Sequence, residues 1–140
     1  MCLEIAVTAP SGTLVALERI AALRDFEGLR LTMEPPHPLH GRCPDRVKGT
    51  ISGEGGCACN LLADDADWDA PVWAMRPEVL SPLARILEAV GSATSEEWSV
   101  QAVWIGMTPQ EQRVSVAELV AIVDASQLGT LTRYTVPPSR

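Results

Sequence analysis

The sequence predicts a single α+β domain, and three observations support this. Strand-like and helix-like patterns follow one another in the order β-α-β-β-α-β, with one further helix and strand at the end. The chain has 140 residues, the size of one ordinary domain, and 46% of them are hydrophobic, which suffices for a sizeable core. The first six elements have the order of a ferredoxin-like β-α-β-β-α-β sandwich, followed by a C-terminal α-β extension. A mixed sheet with helices on both faces is the alternative.

The first half of the chain contains three predicted strands and one predicted helix. Residues 3–8 alternate between apolar and polar side chains, as a strand with one buried face does. Residues 13–24 carry apolar side chains at helical spacing, and Ser11 is placed to cap that helix. A second strand follows Gly28 at 29–34, and the β-branched residues of 47–52 predict a third.

The second half contains two helices and two strands. Pro77 and Pro82 fit the first turn of a helix whose apolar side continues to Gly91. Residues 98–105 are apolar on both faces towards their end, which favours a central strand. Ser115 and Glu118 have the spacing of a capping box for the last helix, which we expect to end before Gly129. Residues 130–136 then form the last strand.

Residues 35–76 are rich in proline, glycine and aspartate and interrupt the regular elements on both sides of the third strand. Residues 34–45 alone hold four prolines and one glycine. Most of this backbone can join neither a strand ladder nor a helix, since proline lacks the N–H group. We therefore predict a loop region here, and because loops carry much of the binding function of small domains, we expect residues 35–73 to be the working face.

The charge of the chain argues against two classes of partner. Eleven basic residues are scattered among 18 acidic ones, for a formal net charge of -7, and no basic run is present. Nucleic acids and anionic membranes are bound by clustered Lys and Arg, so neither is expected as a partner. The start of the chain lacks the pattern of a secretion signal, and no stretch is apolar enough to span a bilayer. We predict a cytoplasmic protein that binds another protein or a second copy of itself.

Cysteine and histidine are concentrated in one part of the sequence. Five of these six residues lie within a stretch of 23 residues. Cys57 and Cys59 flank a single alanine and would project to the same side of an extended chain, where both could reach one ion. With Cys43 and His40, which precedes the flexible Gly41, they are the predicted ligands of a tetrahedral zinc ion. The spacing is not that of paired CxxC motifs, so ordinary buried or exposed side chains are the competing interpretation.

A thiol-dependent enzyme or redox protein that uses Cys57 or Cys59 is a second alternative. A reactive thiol needs a nearby cation, and His40, Arg42 and Arg46 are the local candidates. The surrounding charge is mostly acidic, which opposes formation of a thiolate. The sequence contains no complete catalytic signature, and we assign no catalytic residue from it.

Trp68 and Trp73 are interleaved with aspartates in the loop region. Large aromatic side chains beside charges are typical of interface anchors, so both are predicted to bind a partner. Taken together, the sequence favours a small binding or accessory module over an enzyme. The thiol-dependent enzyme and the zinc-stabilised module remain the alternatives.

Overall fold

The structure is a computed structural model that describes residues 3–22, 26, 28–34, 46–53, 58–67 and 69–138. Its regular elements, in chain order, are β1 (Leu3–Pro10), α1 (Leu14–Ala22), β2 (Arg30–Met33), β3 (Arg46–Ser52), α2 (Pro77–Ala93), β4 (Trp98–Trp104), β5 (Gln110–Arg113), α3 (Val116–Asp124) and β6 (Thr132–Val136). Short 3-10 helices occupy Ser11–Thr13 and Ala58–Leu61. The predicted α+β class is confirmed.

The strands form one six-stranded sheet in the order β2-β3-β1-β4-β6-β5. Neighbouring strands are antiparallel except β5 and β6, which are parallel, so the sheet is mixed. The ferredoxin-like topology is not confirmed, because the strand order of the complete sheet differs from that of the predicted antiparallel sandwich. The difference lies at β5 and β6, which extend the sheet beyond β4.

Strand β5 was absent from the prediction, and its sequence explains why. Its four residues, QEQR, are all polar and all exposed, so the strand has no apolar alternation for a pattern to detect. It lies at the edge of the sheet, where charged side chains discourage pairing with further strands.

One face of the sheet and all three helices share a single hydrophobic core. On β1, the side chains of Leu3, Ile5, Val7 and Ala9 are buried in that core, as is the helical residue Leu83. Most intervening positions of β1 and β4 carry polar side chains, among them Glu4, Thr8, Ser99 and Gln101, while Ala6 and Val103 are the apolar exceptions. This second side of the sheet, which we call the polar face, is covered by no helix of the described part of the chain.

The part of the predicted loop region at residues 58–76 packs its larger apolar side chains on the core. Leu61, Leu62 and Met75 are buried in the core. Backbone hydrogen bonds join the two arms of the segment, with the N–H of Ala63 donating to Ala74 O at 2.9 Å and that of Arg76 to Leu61 O at 2.9 Å. The apolar side chains of this segment thus pack on the core while residues such as Asp65 and Asp67 stay exposed, and the working face at residues 35–73 stays a prediction.

Within the described residues, none of the helices combines the length and apolar content that crossing a bilayer requires.

Candidate functional site

The structure describes one of the four predicted zinc ligands. Cys59 lies in the 3-10 helix Ala58–Leu61, is partly buried, and its sulfur accepts a hydrogen bond from the backbone N–H of Leu3 at 3.2 Å. His40, Cys43 and Cys57 lie outside the described residues. Among the residues that are described, no group of three or more Cys, His, Asp or Glu side chains is placed to hold a metal ion. The zinc site stays a prediction.

Trp73 does not have the surroundings of an interface anchor. Its side chain is 1% exposed, its indole N–H donates to Ala102 O at 2.6 Å, and its ring meets that of Trp104 edge to face at 4.8 Å between centroids. The aspartates before it in the sequence suggested a surface position, but the indole packs inward onto β4. Trp68, the second predicted anchor, lies outside the described residues.

A cavity of about 260 Å³ on the polar face brings together residues that no sequence motif singled out. We call it the polar basin, and its floor carries the hydroxyl groups of Thr8, Ser99 and Thr135. Thr8 is opposite Ser99 in the β1/β4 register, and Ser99 is opposite Thr135 in the β4/β6 register. The three hydroxyls therefore form one row across three adjacent strands, with a spacing of about 4.8 Å between strands.

Thr135 is the most enclosed member of this row. The residue is 4% exposed, and no side chain or backbone group of the described residues hydrogen-bonds its hydroxyl. Every fully buried polar side-chain atom among these residues has a partner, so the Thr135 hydroxyl opens into the basin. Among the described residues, this hydroxyl keeps both its donor and its acceptor capacity for a ligand.

Two arginines supply positive charge to the rim of the basin. Arg46, at the start of β3, lies opposite Pro10 of β1, and Arg133 lies opposite Gln101 of β4. The Nε–H of Arg133 donates to Gln101 Oε1 at 2.9 Å, which holds the side chain while leaving the two terminal nitrogens for other partners.

Two glutamates supply negative charge to the same rim. Glu111 on β5 lies opposite Arg133 on β6, and Glu97 directly precedes β4. Glu97 also approaches Arg113, with 3.7 Å between Oε2 and Nη2. The residues that line the basin thus carry two guanidinium and two carboxylate groups, and Arg113 adds a third guanidinium beside Glu97.

A second cavity, of about 210 Å³, lies between the end of α2 and the start of α3. Its polar side chains already have partners within the fold: the hydroxyl of Ser115 accepts from Glu118 N at 3.1 Å, and that of Thr94 accepts from Glu96 N at 3.2 Å. Because its polar groups are satisfied, this cavity is a weaker candidate for ligand binding than the polar basin.

Sequence reasoning missed the polar basin because its residues are scattered along the chain. They extend from Thr8 to Thr135, and members such as Thr8, Ser99 and Thr135 occupy the polar positions of alternating strands, where a solvated side chain is the ordinary interpretation. The available signal was the repetition of hydroxyl side chains at such positions on several strands. It becomes specific only when the strand order and register are known.

Comparison with known proteins adds no functional information. No protein-family model matches the chain, and no curated protein and no solved structure shows detectable similarity to it. The geometry of the residues themselves is therefore what supports a function.

Proposed function

We propose that this protein is a binding module that holds a small polar ligand in the polar basin. The observation that carries the proposal is the row of three hydroxyls, bordered by two arginines and two glutamates, on the face of the sheet that bears no helix in the described structure. Convergent polar groups on rigid strands are the features that orient a ligand and give specificity.

The size of the basin supports a small metabolite as ligand. Pockets for drug-sized molecules have volumes of about 300–1,000 Å³. The basin, at about 260 Å³, falls just below that range. Its lining is dominated by polar groups, so hydrogen bonds and ion pairs, rather than apolar burial, would supply the affinity.

The proposal keeps the binding role expected from the sequence and moves it to a different surface. Arg46 belongs to both surfaces, because it lies within the predicted loop region and also borders the basin. A protein partner, or a second copy of the chain, is the competing occupant of the polar face. A polypeptide partner would leave small polar compounds without effect, so a ligand screen separates the two proposals.

The experiment is a thermal-shift screen with four classes of compound: amino acids, sugar phosphates, dicarboxylates and polyols. We expect one class to raise the Tm of the wild-type protein and of Arg30→Gln, but not that of Arg133→Gln. Arg30 is the matched control because it is an exposed arginine on the same face, opposite Ser52 on the outer strand pair and away from the basin. A Tm that no class raises, or a rise that Arg133→Gln retains, would contradict the proposal.

The zinc-stabilised module and the thiol-dependent enzyme stay alternative proposals. The specific observation in their favour is the hydrogen bond from Leu3 N–H to the sulfur of Cys59, because such a donor stabilises the thiolate that metal binding and nucleophilic attack both need. For the zinc module we expect about one equivalent of zinc on the purified protein and thiols that react only after chelation. For the enzyme we expect no zinc and one thiol that reacts fast near neutral pH.

We also propose that the first four strands, with α1 and α2, form a ferredoxin-like unit. This proposal is supported by the first four strands, which lie in the order β2-β3-β1-β4 with each strand antiparallel to its neighbours, and by the contribution of α1 and α2 to one core. On this proposal, α3, β5 and β6 are an extension of that unit.

A further inference from the structure

We infer that the ligand of the polar basin is a zwitterion that carries an ammonium and a carboxylate group, as free amino acids and short peptides do. This inference rests on the proposed function, which by itself requires only that the ligand be small and polar. It goes further by assigning opposite charges of the ligand to named residues of the rim.

The two signs of charge on the rim argue against a ligand with only one. A phosphate or dicarboxylate attracted by Arg46 and Arg133 would also face the carboxylate of Glu111, which has no ion pair in the described structure. A simple cation would face both guanidinium groups. Like charges brought together in this way disfavour binding, so the rim selects a ligand that presents both signs.

Arg133 and Glu111 form the end of the basin best placed to bind such a ligand. They lie directly opposite each other on adjacent parallel strands, but no ion pair joins their side chains in the described structure. Arg133 is held by Gln101 through its Nε–H, so its terminal nitrogens can donate to a carboxylate. The carboxylate of Glu111, beside it, can accept from an ammonium group of the same ligand.

At the opposite end of the basin, the charged side chains are less available to a ligand. There, Glu97 is already within 3.7 Å of Arg113, and β1 separates Arg46 from Glu97 in the sheet. We therefore assign the α-ammonium and α-carboxylate to the Arg133 and Glu111 end. The remainder of the ligand lies over the hydroxyl row of Thr8, Ser99 and Thr135. A neutral polyol would satisfy this row but would leave the charges of the rim without partners.

The test is calorimetric titration of the whole chain with the standard amino acids and glycylglycine. Each compound is compared with its N-acetyl form, which lacks the ammonium, and with its carboxamide, which lacks the carboxylate. We expect at least one free zwitterion to bind, and both of its derivatives to bind roughly tenfold or more weakly, as expected for the loss of a charged hydrogen bond.

Two variants test which residue binds the ammonium group of the ligand and which binds its carboxylate. In Glu111→Gln, the preference for the free compound over its N-acetyl form should disappear. In Arg133→Gln, the preference over the carboxamide should disappear. Arg30→Gln, on the same face but away from the basin, should keep both preferences. Glu111 and Arg133 are exposed, and far-UV circular dichroism verifies that both variants fold.

Several results would overturn the inference. The first is that no free amino acid binds and glycylglycine does not bind either. The second is that the N-acetyl and carboxamide derivatives bind as tightly as the free compound. The third is that both variants keep the preferences of the wild-type protein. If a phosphate or a polyol binds instead, and Arg133→Gln abolishes that binding, the zwitterion inference is wrong and the proposed function stands. If no compound of any class binds, both are wrong.

Discussion

The two N–H groups of Trp73 connect the segment 58–76 to two other parts of the fold, strand β4 and the connection between α3 and β6. The indole N–H donates to Ala102 O at 2.6 Å, and the backbone N–H donates to Leu128 O at 2.8 Å. The side chain also fills space against Trp104. Replacing it therefore removes a hydrogen bond and a large buried volume at once.

We predict that Trp73→Phe lowers the free energy of unfolding by about 2–4 kcal/mol, because a cavity forms and Ala102 O loses its donor. Urea denaturation measures this change. Ile105→Ala is the control, since that side chain is 62% exposed and its loss should cost less than about 0.5 kcal/mol. A Trp73→Phe effect as small as the control would mean that the indole does not contribute to the core.

The position of Trp73 could not be predicted from the sequence. Periodicity indicates the direction of a side chain within a strand or helix, but Trp73 lies in an irregular segment where no period applies. Its aspartate neighbours suggested exposure, and they are indeed exposed at Asp67 and Asp69, while the indole itself turns inward.

At the scale of elements, the capping box of α3 was predicted and is confirmed. The Ser115 hydroxyl accepts from Glu118 N at 3.1 Å, and Glu118 Oε1 accepts from Ser115 N at 3.2 Å. Such a motif is local, so sequence spacing is sufficient to identify it. The helix ends at Asp124, before Gly129 as expected. Just beyond it, Ser126 adopts a left-handed φ of 54°, and its hydroxyl bonds to the backbone of Trp73 and Met75.

We predict that Ser115→Ala destabilises the protein by about 1 kcal/mol, since the first turn of α3 loses its cap. Thermal and urea unfolding should agree on this value. Ser95→Ala serves as the control, because Ser95 is exposed just before β4 and has no side-chain hydrogen bond in the described structure. Equal effects of the two substitutions would show that the cap is not responsible.

Helices α2 and α3 meet closely at Gly91. A Cβ atom at this position would lie 2.8 Å from Cγ2 of Val116, a β-branched side chain with little rotamer freedom. Alanine is normally favoured over glycine inside a helix by about 1 kcal/mol. Here the contact between the helices opposes that preference, because overpacking costs about 1–3 kcal/mol.

We therefore predict that the effect of Gly91→Ala on the free energy of unfolding changes sign in a double-mutant cycle. Gly91→Ala should destabilise the wild-type protein but stabilise the Val116→Ala variant, in which the space beside α2 is open. Urea denaturation of the four proteins measures both effects. Destabilisation in both backgrounds, or in neither, would contradict the close approach of the two helices.

At the scale of the whole molecule, the sheet separates an apolar core from a polar face. Local patterns predicted the α+β class and most elements, because the period of a strand or helix is written within a few residues. They could not predict the strand order or the basin. Both depend on which distant strands pair, and that pairing brings positions as far apart as 8, 99 and 135 into one row.

We also predict the pattern of amide hydrogen exchange across the fold. The N–H groups of Ala63, Trp73 and Arg76 should exchange as slowly as those of β4, because each is bonded within a segment that packs on the core. Mass spectrometry of peptides that cover residues 58–76 gives this rate. Fast exchange throughout the segment would contradict this prediction and support the exposed loop that the sequence indicates.

The central claim is that the polar basin binds a small polar ligand. Two-dimensional ¹H–¹⁵N spectra of the whole chain, recorded with and without a mixture of amino acids, sugar phosphates, dicarboxylates and polyols, test it most directly. We predict that the amide resonances of Thr8, Ser99 and Thr135 shift together, while that of Arg30 stays in place. Unchanged spectra, or shifts confined to residues outside the basin, would contradict the claim.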